Sequence, residues 1–97
     1  MKTGFISADS SLNHDTGDGH PENKYRIQSI LDRLKKKNFS SLEWSAPNKF
    51  DEAYLKKTHN NIYIDEVKKI FPTKGKCFLD GDTVISPGSK EASYDAV

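Results

Sequence analysis

The chain of 97 residues has only one cysteine, one tryptophan, one methionine and four prolines, and it lacks a long hydrophobic run. The single cysteine, Cys77, excludes a disulfide within the chain, which fits a reducing compartment. No apolar stretch approaches the roughly 20 residues of a membrane span, and the start of the chain, Met1–Phe5, has too short an apolar stretch for a signal peptide. We therefore expect a cytoplasmic protein with no membrane partner.

The chain also lacks an excess of charge of either sign. Its 15 Lys and Arg residues oppose 14 Asp and Glu residues, a net charge of +1. Proteins that neutralise many phosphates usually carry a larger basic excess, so composition argues against a nucleic-acid partner. A binder of DNA or RNA remains the third hypothesis, resting on the scattered lysines Lys35–Lys37, Lys56, Lys57, Lys68, Lys69, Lys74 and Lys76.

Strong core-forming residues are few. Leu, Ile, Val and Phe together account for 21 of the 97 residues, just above the roughly 20% below which disorder is expected. A core is possible but thin, and the length suits one small domain or a piece of a larger one. Folded alone, such a chain would have a radius of gyration of about 13 Å.

The first half of the sequence predicts a strand, a polar loop, a helix and a second strand. Gly4–Ala8 is short and mostly apolar, as in a strand, and the Gly-rich segment from Asp9 to Pro21 cannot cover a core. A helix is expected from Pro21 to Lys37, with Pro21 in its first turn. Its apolar stripe consists of Ile27, Ile30, Leu31 and Leu34. Leu42–Ser45 is the second predicted strand.

The second half predicts three helices and one short apolar strand. Asp51 caps a short helix through about Thr58, and Asn60 or Asn61 starts another that ends at Phe71. We expect Ile62, Tyr63, Val67, Ile70 and Phe71 to share one broad apolar face of that second helix. After the apolar run Cys77–Leu79 and the loop Asp80–Thr83, a last helix begins near Lys90. Alternating helices and short strands indicate an α/β fold with a parallel sheet.

The residues alone do not compose a self-sufficient active site. The potential metal ligands His14, His20, His59 and Cys77 lack compact ligand spacing. No Gly-x-Ser-x-Gly motif marks a nucleophile. Asp80 and Asp82 are either a carboxylate pair for acid–base chemistry or ordinary turn residues, and composition favours the turn.

Four sequence blocks taken in order nevertheless resemble the histone deacetylase superfamily, which includes acetoin-utilisation proteins and acetylpolyamine amidohydrolases. They span most of the chain, and the second is closest to class II and bacterial members. Lys24 departs from the pattern, because many members have proline there. The four blocks are His14-Asp15-Thr16-Gly17; His20-Pro21-Glu22 with Arg26-Ile27; Leu55, His59 and Tyr63-Ile64; and Leu79-Asp80-Gly81-Asp82-Thr83 with Ser86-Pro87-Gly88-Ser89.

The resemblance implies roles for four residues. Arg26 matches an arginine that lines an internal channel for acetate release, where a guanidinium binds a carboxylate bidentately. Asp82 matches a rim aspartate that accepts hydrogen bonds from the backbone of the acyl-lysine substrate. His20 and Pro21 match positions that shape the opening loop. The resemblance also implies the N-terminal part of an arginase–deacetylase-like, three-layer α/β fold with a parallel sheet.

The family's catalytic motifs do not occur in the sequence. Members hold Zn²⁺ with an Asp-x-His pair and a later Asp, and they use a His-His pair and a Tyr in catalysis. The chain contains no Gly-His-His and no Asp-Val-His. We therefore expect residues 1–97 to be a single partial domain, truncated after Val97, whose parent removes acetyl groups from acetylated lysine or polyamine with zinc.

The 97-residue piece itself is expected to bind no metal and to be inactive. Its expected partners are the remainder of the catalytic domain or further copies of itself, because a partial sheet leaves strand edges uncovered. The alternative from another functional class is a free-standing, non-catalytic protein-interaction module derived from the same fold.

Overall fold

Two small sheets and three α-helices form the computed structural model, which describes the backbone of residues 1–97 and every side chain except that of Lys37. In chain order the elements are β1 (Thr3–Ile6), α1 (Lys24–Leu34), β2 (Leu42–Ser45), α2 (Asn61–Ile70), β3 (Cys77–Phe78), β4 (Val84–Ile85) and α3 (Ser89–Ala96). Short 3-10 helices occupy Asp9–Asn13, Lys37–Phe39 and Glu52–Lys57.

Strands β1 and β2 pair in parallel, with α1 as the connection between them. Thr3 lies opposite Leu42, and Phe5 lies opposite Trp44 with the two ring centroids 4.6 Å apart. This β1–α1–β2 unit confirms the predicted mixed α/β character and a small parallel sheet. The predicted β2 agrees with the structure residue for residue, whereas β1 ends two residues earlier than expected.

Helix α1 begins later than predicted. The expected start at Pro21 is wrong, because Asn23 is the N-cap and its Oδ1 accepts the backbone N–H of Tyr25 at 3.1 Å. The helix also ends at Leu34 rather than at Lys37. Of the predicted apolar stripe, Leu31 is buried, while Ile30 is exposed. An Asn side chain satisfies an amide that the first turn leaves without a helical partner, which fixes the start more strongly than a proline does.

Helix α2 starts as predicted, but its buried residues match the predicted apolar face only in part. Asn60 caps it through a 2.8 Å hydrogen bond from the N–H of Tyr63, and Asp51 caps the preceding segment, which is a 3-10 helix rather than an α-helix. The predicted apolar face is wrong at Ile62, which is 73% exposed, and at Tyr63 and Ile70, which are also exposed, and the buried residue is Ile64. Two members of the predicted face are half-buried, namely Val67, which lies one turn after Ile64, and Phe71, which directly follows the helix.

The second sheet is an antiparallel hairpin and not an extension of the parallel pair. Cys77 lies opposite Ile85, and Phe78 lies opposite Val84. A short connection between two strands permits only antiparallel pairing, because a parallel pair needs a crossover of a dozen or more residues. The five residues Leu79–Thr83 connect the two strands, one residue more than the predicted loop Asp80–Thr83.

The segment after β1 packs against the rest of the chain, contrary to the expectation that it forms only a loop. Its 3-10 helix at Asp9–Asn13 contacts both α1 and α3, and the buried Ser10 donates a hydrogen bond of 2.5 Å to Asp95 in α3. The backbone of Asn13 comes so close to Gly88 that no side chain fits there. Short polar side chains thus join the two ends of the chain.

The hydrophobic core is thin, as composition predicts. Among the described side chains, the buried hydrophobic ones are Leu31, Ile64, Val84 and Ile85. The radius of gyration is 15.6 Å, against about 13 Å for a compact chain of this length. The accessible surface is 7488 Å², whereas a folded monomer of this mass exposes about 5,600 Å². About 1,900 Å² of additional surface is therefore uncovered.

Candidate functional site

An open cleft of about 910 Å³ lies between the segment from Thr16 to Glu22 and the β3–β4 hairpin. One wall comes from the Gly-rich loop and the other from residues more than fifty positions later in the sequence. The lining residues are Thr16, Gly17, Asp18, Gly19, His20, Pro21, Glu22, Lys76, Phe78, Gly81, Asp82 and Val84.

Buried hydroxyl groups hold the Gly-rich loop against the start of α3. The backbone N–H of Asp15 donates to Ser86 Oγ at 3.0 Å, and His14 Nδ1 lies 2.7 Å from Ser89 Oγ. Ser89 Oγ also accepts the backbone N–H of Ser86 at 2.9 Å. At the other end of the loop, the buried Thr16 hydroxyl donates to the carbonyl oxygen of Glu22. The first wall of the cleft is therefore fixed at both ends.

Gly17 and Gly19 allow the loop to bend back toward the cleft. Their φ angles are +92° and +76°, a region that residues with a side chain rarely adopt. Asp15 Oδ1 accepts the N–H of Gly17 at 2.9 Å, and this hydrogen bond is the main reason that the pKa of Asp15 lies below its ordinary value. The ammonium group of Lys76, 3.5 Å from Asp15 Oδ2, lowers that pKa further.

His20 links the two walls of the cleft. Its Nε2 lies 2.8 Å from the carbonyl oxygen of Asp82, and because a carbonyl oxygen only accepts, Nε2 carries the proton. The other ring nitrogen, Nδ1, lies 3.0 Å from both the backbone nitrogen and the carbonyl oxygen of Glu22. One ring thus fixes both the loop and the position of Asp82.

Asp80 orders the turn that carries Asp82. Asp80 Oδ1 accepts the N–H groups of Asp82 and Thr83, each at 2.8 Å, and Asp80 Oδ2 accepts the Thr83 hydroxyl at 3.2 Å. The hydrogen bond from Asp82 N–H is the largest cause of a pKa for Asp80 below its ordinary value. Asp80 and Asp82 are therefore not a carboxylate pair, because one carboxylate is used in the turn.

The depressed pKa of Asp80 predicts acid sensitivity of the turn. A carboxylate stabilised in the folded state contributes stability above the unfolded pKa of about 3.9, and loses it as the pH falls through the lower folded pKa. We expect the amide signals of Asp82 and Thr83 to shift together in NMR spectra, with a midpoint below pH 3.9. Asp80→Asn should abolish this shift and Asp65→Asn should retain it. A midpoint at or above the unfolded value would contradict the prediction.

The structure brings three of the four predicted site residues to the cleft. His20, Pro21 and Asp82 line it, and the Asp82 carboxylate makes no hydrogen bond or ion pair with the described side chains. Arg26 lies elsewhere. Its guanidinium is on the exposed side of α1, 3.8 Å from Glu22 Oε1, and it lines none of the cavities described in this structure. The channel role of Arg26 stays a prediction from the resemblance.

The buried serines and His14 were not identified as site-building residues from the sequence. Three buried, hydrogen-bonded residues support the cleft, namely Thr16, Ser86 and Ser89. Of these, Thr16 also lines it. The Ser86-Pro87-Gly88-Ser89 motif contributes to the family resemblance, which assigns no role to its two serines. The two serines bond each other across the turn that precedes α3, because Ser89 Oγ accepts the N–H of Ser86 and the carbonyl oxygen of Ser86 accepts the N–H of Ser89.

The described residues of this chain do not fit a metal site. Among the described side chains, no group of three or more His, Cys, Asp or Glu residues lies close enough together to hold an ion. His20 uses both ring nitrogens for hydrogen bonds to backbone groups, and His14 Nδ1 bonds Ser89. Cys77 is half-buried in β3.

Comparison with known families identifies the relatives of the chain. The sequence pattern of the histone deacetylase domain matches residues 20–97, most of the chain. The chain belongs to the histone deacetylase family. The matched region of this histone deacetylase family member contains His20, Pro21, Arg26 and Asp82, whereas the block His14–Gly17 lies before it.

No individually curated protein matches the chain. The histone deacetylase family is a family of hydrolases, and its match to this chain therefore indicates a hydrolase family. In the part of this histone deacetylase family member that the structure describes, no helix has both the length and the apolar character needed to cross a bilayer.

Proposed function

We propose that residues 1–97 form the N-terminal part of a zinc-dependent deacetylase domain, and that the cleft is the rim on which the substrate backbone rests. The observation that carries this proposal is the 2.8 Å hydrogen bond from His20 to the backbone of Asp82. It holds Asp82 at the cleft while its carboxylate stays unpaired among the described residues. An unpaired carboxylate accepts two or more amide N–H groups.

The proposed substrate of the parent enzyme is an acetylated amine, either acetyl-lysine or an acetylated polyamine, and the products are the free amine and acetate. The zinc ion of that reaction does not fit the residues of this chain, so its ligands are assigned to residues outside the 97. The cytoplasmic location is also part of the proposal, and the single cysteine supports it. The proposed fold of the complete domain is the arginase–deacetylase fold.

An activity assay tests the expectation that the 97-residue chain by itself does not catalyse deacetylation. The chain is expected to release no acetate from an acetyl-lysine peptide or from an acetylated polyamine, with or without added Zn²⁺. Turnover above the background without protein would contradict the proposal.

The coding sequence after Val97 provides the complementary test. Gly-His-His and Asp-x-His motifs there support the enzyme, whereas an immediate stop codon supports the interaction module.

A binding measurement tests the role of Asp82 directly. Addition of N-acetyl-lysine methylamide should shift the NMR signals of Asp82 and its cleft neighbours, and Asp82→Asn should weaken this binding by about tenfold, because hydrogen bonds to a charged group contribute about 1.5–3 kcal/mol. Asp65→Asn, which changes an exposed carboxylate on α2, is the matched control and should bind as the parent chain does. Equal binding by the Asp82→Asn variant would exclude Asp82 as the rim residue.

The interaction module is the second candidate, because the uncovered surface of the chain is also compatible with it. The chain leaves about 1,900 Å² more surface uncovered than a compact monomer of its mass. Surface of this kind is what a partner protein covers, whether that partner is the remainder of a catalytic domain or another chain. The coding sequence after Val97 discriminates between the two.

A further inference from the structure

Phe78 is the large hydrophobic residue of the cleft lining whose side chain stays mainly exposed. It is 70% exposed, whereas its strand partner Val84, which also lines the cleft, is 3% exposed. Side chains of directly opposed residues in an antiparallel pair lie on the same face of the hairpin. Phe78 therefore lies beside the buried Val84 on the wall of the cleft, and most of its ring is free to contact a ligand.

The charges of the cleft decide which ligand suits this ring, because a single exposed phenylalanine is by itself common on protein surfaces. Three carboxylates line the cleft against one ammonium group, in the residues Asp18, Glu22, Asp82 and Lys76. The Lys76 ammonium group lies 3.5 Å from Asp15 Oδ2, and Glu22 has the guanidinium of Arg26 3.8 Å away. The carboxylates of Asp18 and Asp82 have no such partner among the described side chains.

We propose that Phe78 and the Asp18 carboxylate form a subsite for a cationic side chain, Lys or Arg, next to the acetylated residue of a peptide substrate. This inference rests on the proposed function, in which Asp82 holds the backbone of that substrate. A cation is attracted to the face of an aromatic ring when it lies within about 6 Å of the ring centroid. A cleft lined mainly by charges of one sign also concentrates ligands of the opposite sign.

The other classes of side chain fit the cleft less well than a cation does. An apolar side chain would contact the Phe78 ring, but it would remove water from the Asp18 carboxylate without offering it a partner, which costs free energy. An acidic side chain would be repelled by the carboxylates. A cationic side chain contacts the ring and compensates the carboxylates at the same time, so it is the occupant that the cleft favours.

Two capped tripeptides, each with acetyl-lysine between two identical residues, test the subsite. The flanking residues are arginine in one peptide and citrulline, a neutral residue of the same shape, in the other. NMR titration of the 97-residue chain measures both affinities. We expect the arginine peptide to bind about fivefold more tightly. Phe78→Leu should lower this preference to about twofold, because leucine keeps an apolar contact but has no aromatic ring.

A second variant and a matched control accompany this measurement. Asp18→Asn should weaken binding of the arginine peptide and leave the citrulline peptide unaffected, because it removes only the charge. Tyr54→Leu is the control, since Tyr54 is 59% exposed and lies outside the cleft, and it should keep the full preference. Phe78 and Asp18 are both exposed, so circular dichroism should remain unchanged in their variants.

Equal affinities for the two peptides, or a preference that Phe78→Leu leaves unchanged, would overturn the subsite. Failure of the proposed function gives a different result, because Asp82→Asn would then bind the citrulline peptide as tightly as the parent chain does. Binding of neither peptide would contradict both the subsite and the proposed function.

Discussion

Gly88→Ala is expected to destabilise the chain by about 3 kcal/mol, the upper end of the usual cost of overpacking. A Cβ atom at this position would lie 2.8 Å from the carbonyl carbon of Asn13, and closer still to its oxygen. Both contacted atoms belong to the backbone, so they cannot move aside as a flexible side chain does. The 3-10 helix at Asp9–Asn13 and the start of α3 would have to separate.

Urea unfolding followed by circular dichroism measures this change, and Gly81→Ala is the matched control. Gly81 also has an ordinary φ angle, and nothing lies within 4 Å of an added Cβ there. We expect the Gly81 variant to be neutral or slightly stabilised, because alanine restricts the unfolded chain. An equal effect of the two substitutions would show that Asn13 and Gly88 are not in close contact in solution.

The local elements of the fold were predictable from the sequence because their determinants are adjacent in it. Asp51 and Asn60 cap the segments that they were expected to cap, and β2 covers the predicted residues. The error at the start of α1 is also local, since Asn23 and Pro21 compete within three residues and the side-chain cap determines the boundary. Periodicity failed for α2, because three large apolar residues occur within the span Ile62–Ile64 and only packing decides which is buried.

The long-range contacts that form the cleft could not be predicted from the local sequence pattern. His20 and Asp82 are 62 residues apart, and no spacing rule indicates that one bonds the backbone of the other. The resemblance placed both residues at the opening of a family active site, and the structure adds the physical link between them. For Arg26 the structure adds no such link. The channel predicted for Arg26 requires neighbouring residues that the described part of the chain does not supply.

The cleft depends on a buried polar network, which differs from the usual hydrophobic support of a small domain. Leu31, Ile64, Val84 and Ile85 are the buried hydrophobic residues among the described side chains, while Ser10, Thr16, Ser86 and Ser89 are buried as well. Buried polar groups are stabilising only when each has a partner, and no described buried side-chain polar atom lacks one. Removal of one member should therefore affect the entire wall of the cleft.

Ser89→Ala tests that dependence and is expected to cost about 2–3 kcal/mol. Ser89 is 1% exposed, and its Oγ accepts Ser86 N–H at 2.9 Å and lies 2.7 Å from His14 Nδ1. The substitution leaves the N–H of the buried Ser86 without its partner, and the half-buried His14 also loses a hydrogen bond. The loss should also release the Gly-rich loop, which Ser86 and His14 hold against α3.

Ser93→Ala separates this effect from the general consequences of removing a hydroxyl from α3. Ser93 Oγ donates to the carbonyl oxygen of Ser89 at 2.7 Å, but Ser93 is exposed, so water replaces the lost partner and the expected cost is below about 0.5 kcal/mol. Hydrogen exchange provides the second readout. The amide of Asp15, which donates to Ser86 Oγ, should lose protection in Ser89→Ala and keep it in Ser93→Ala. Retained protection in both variants would mean that the loop is held independently of Ser89.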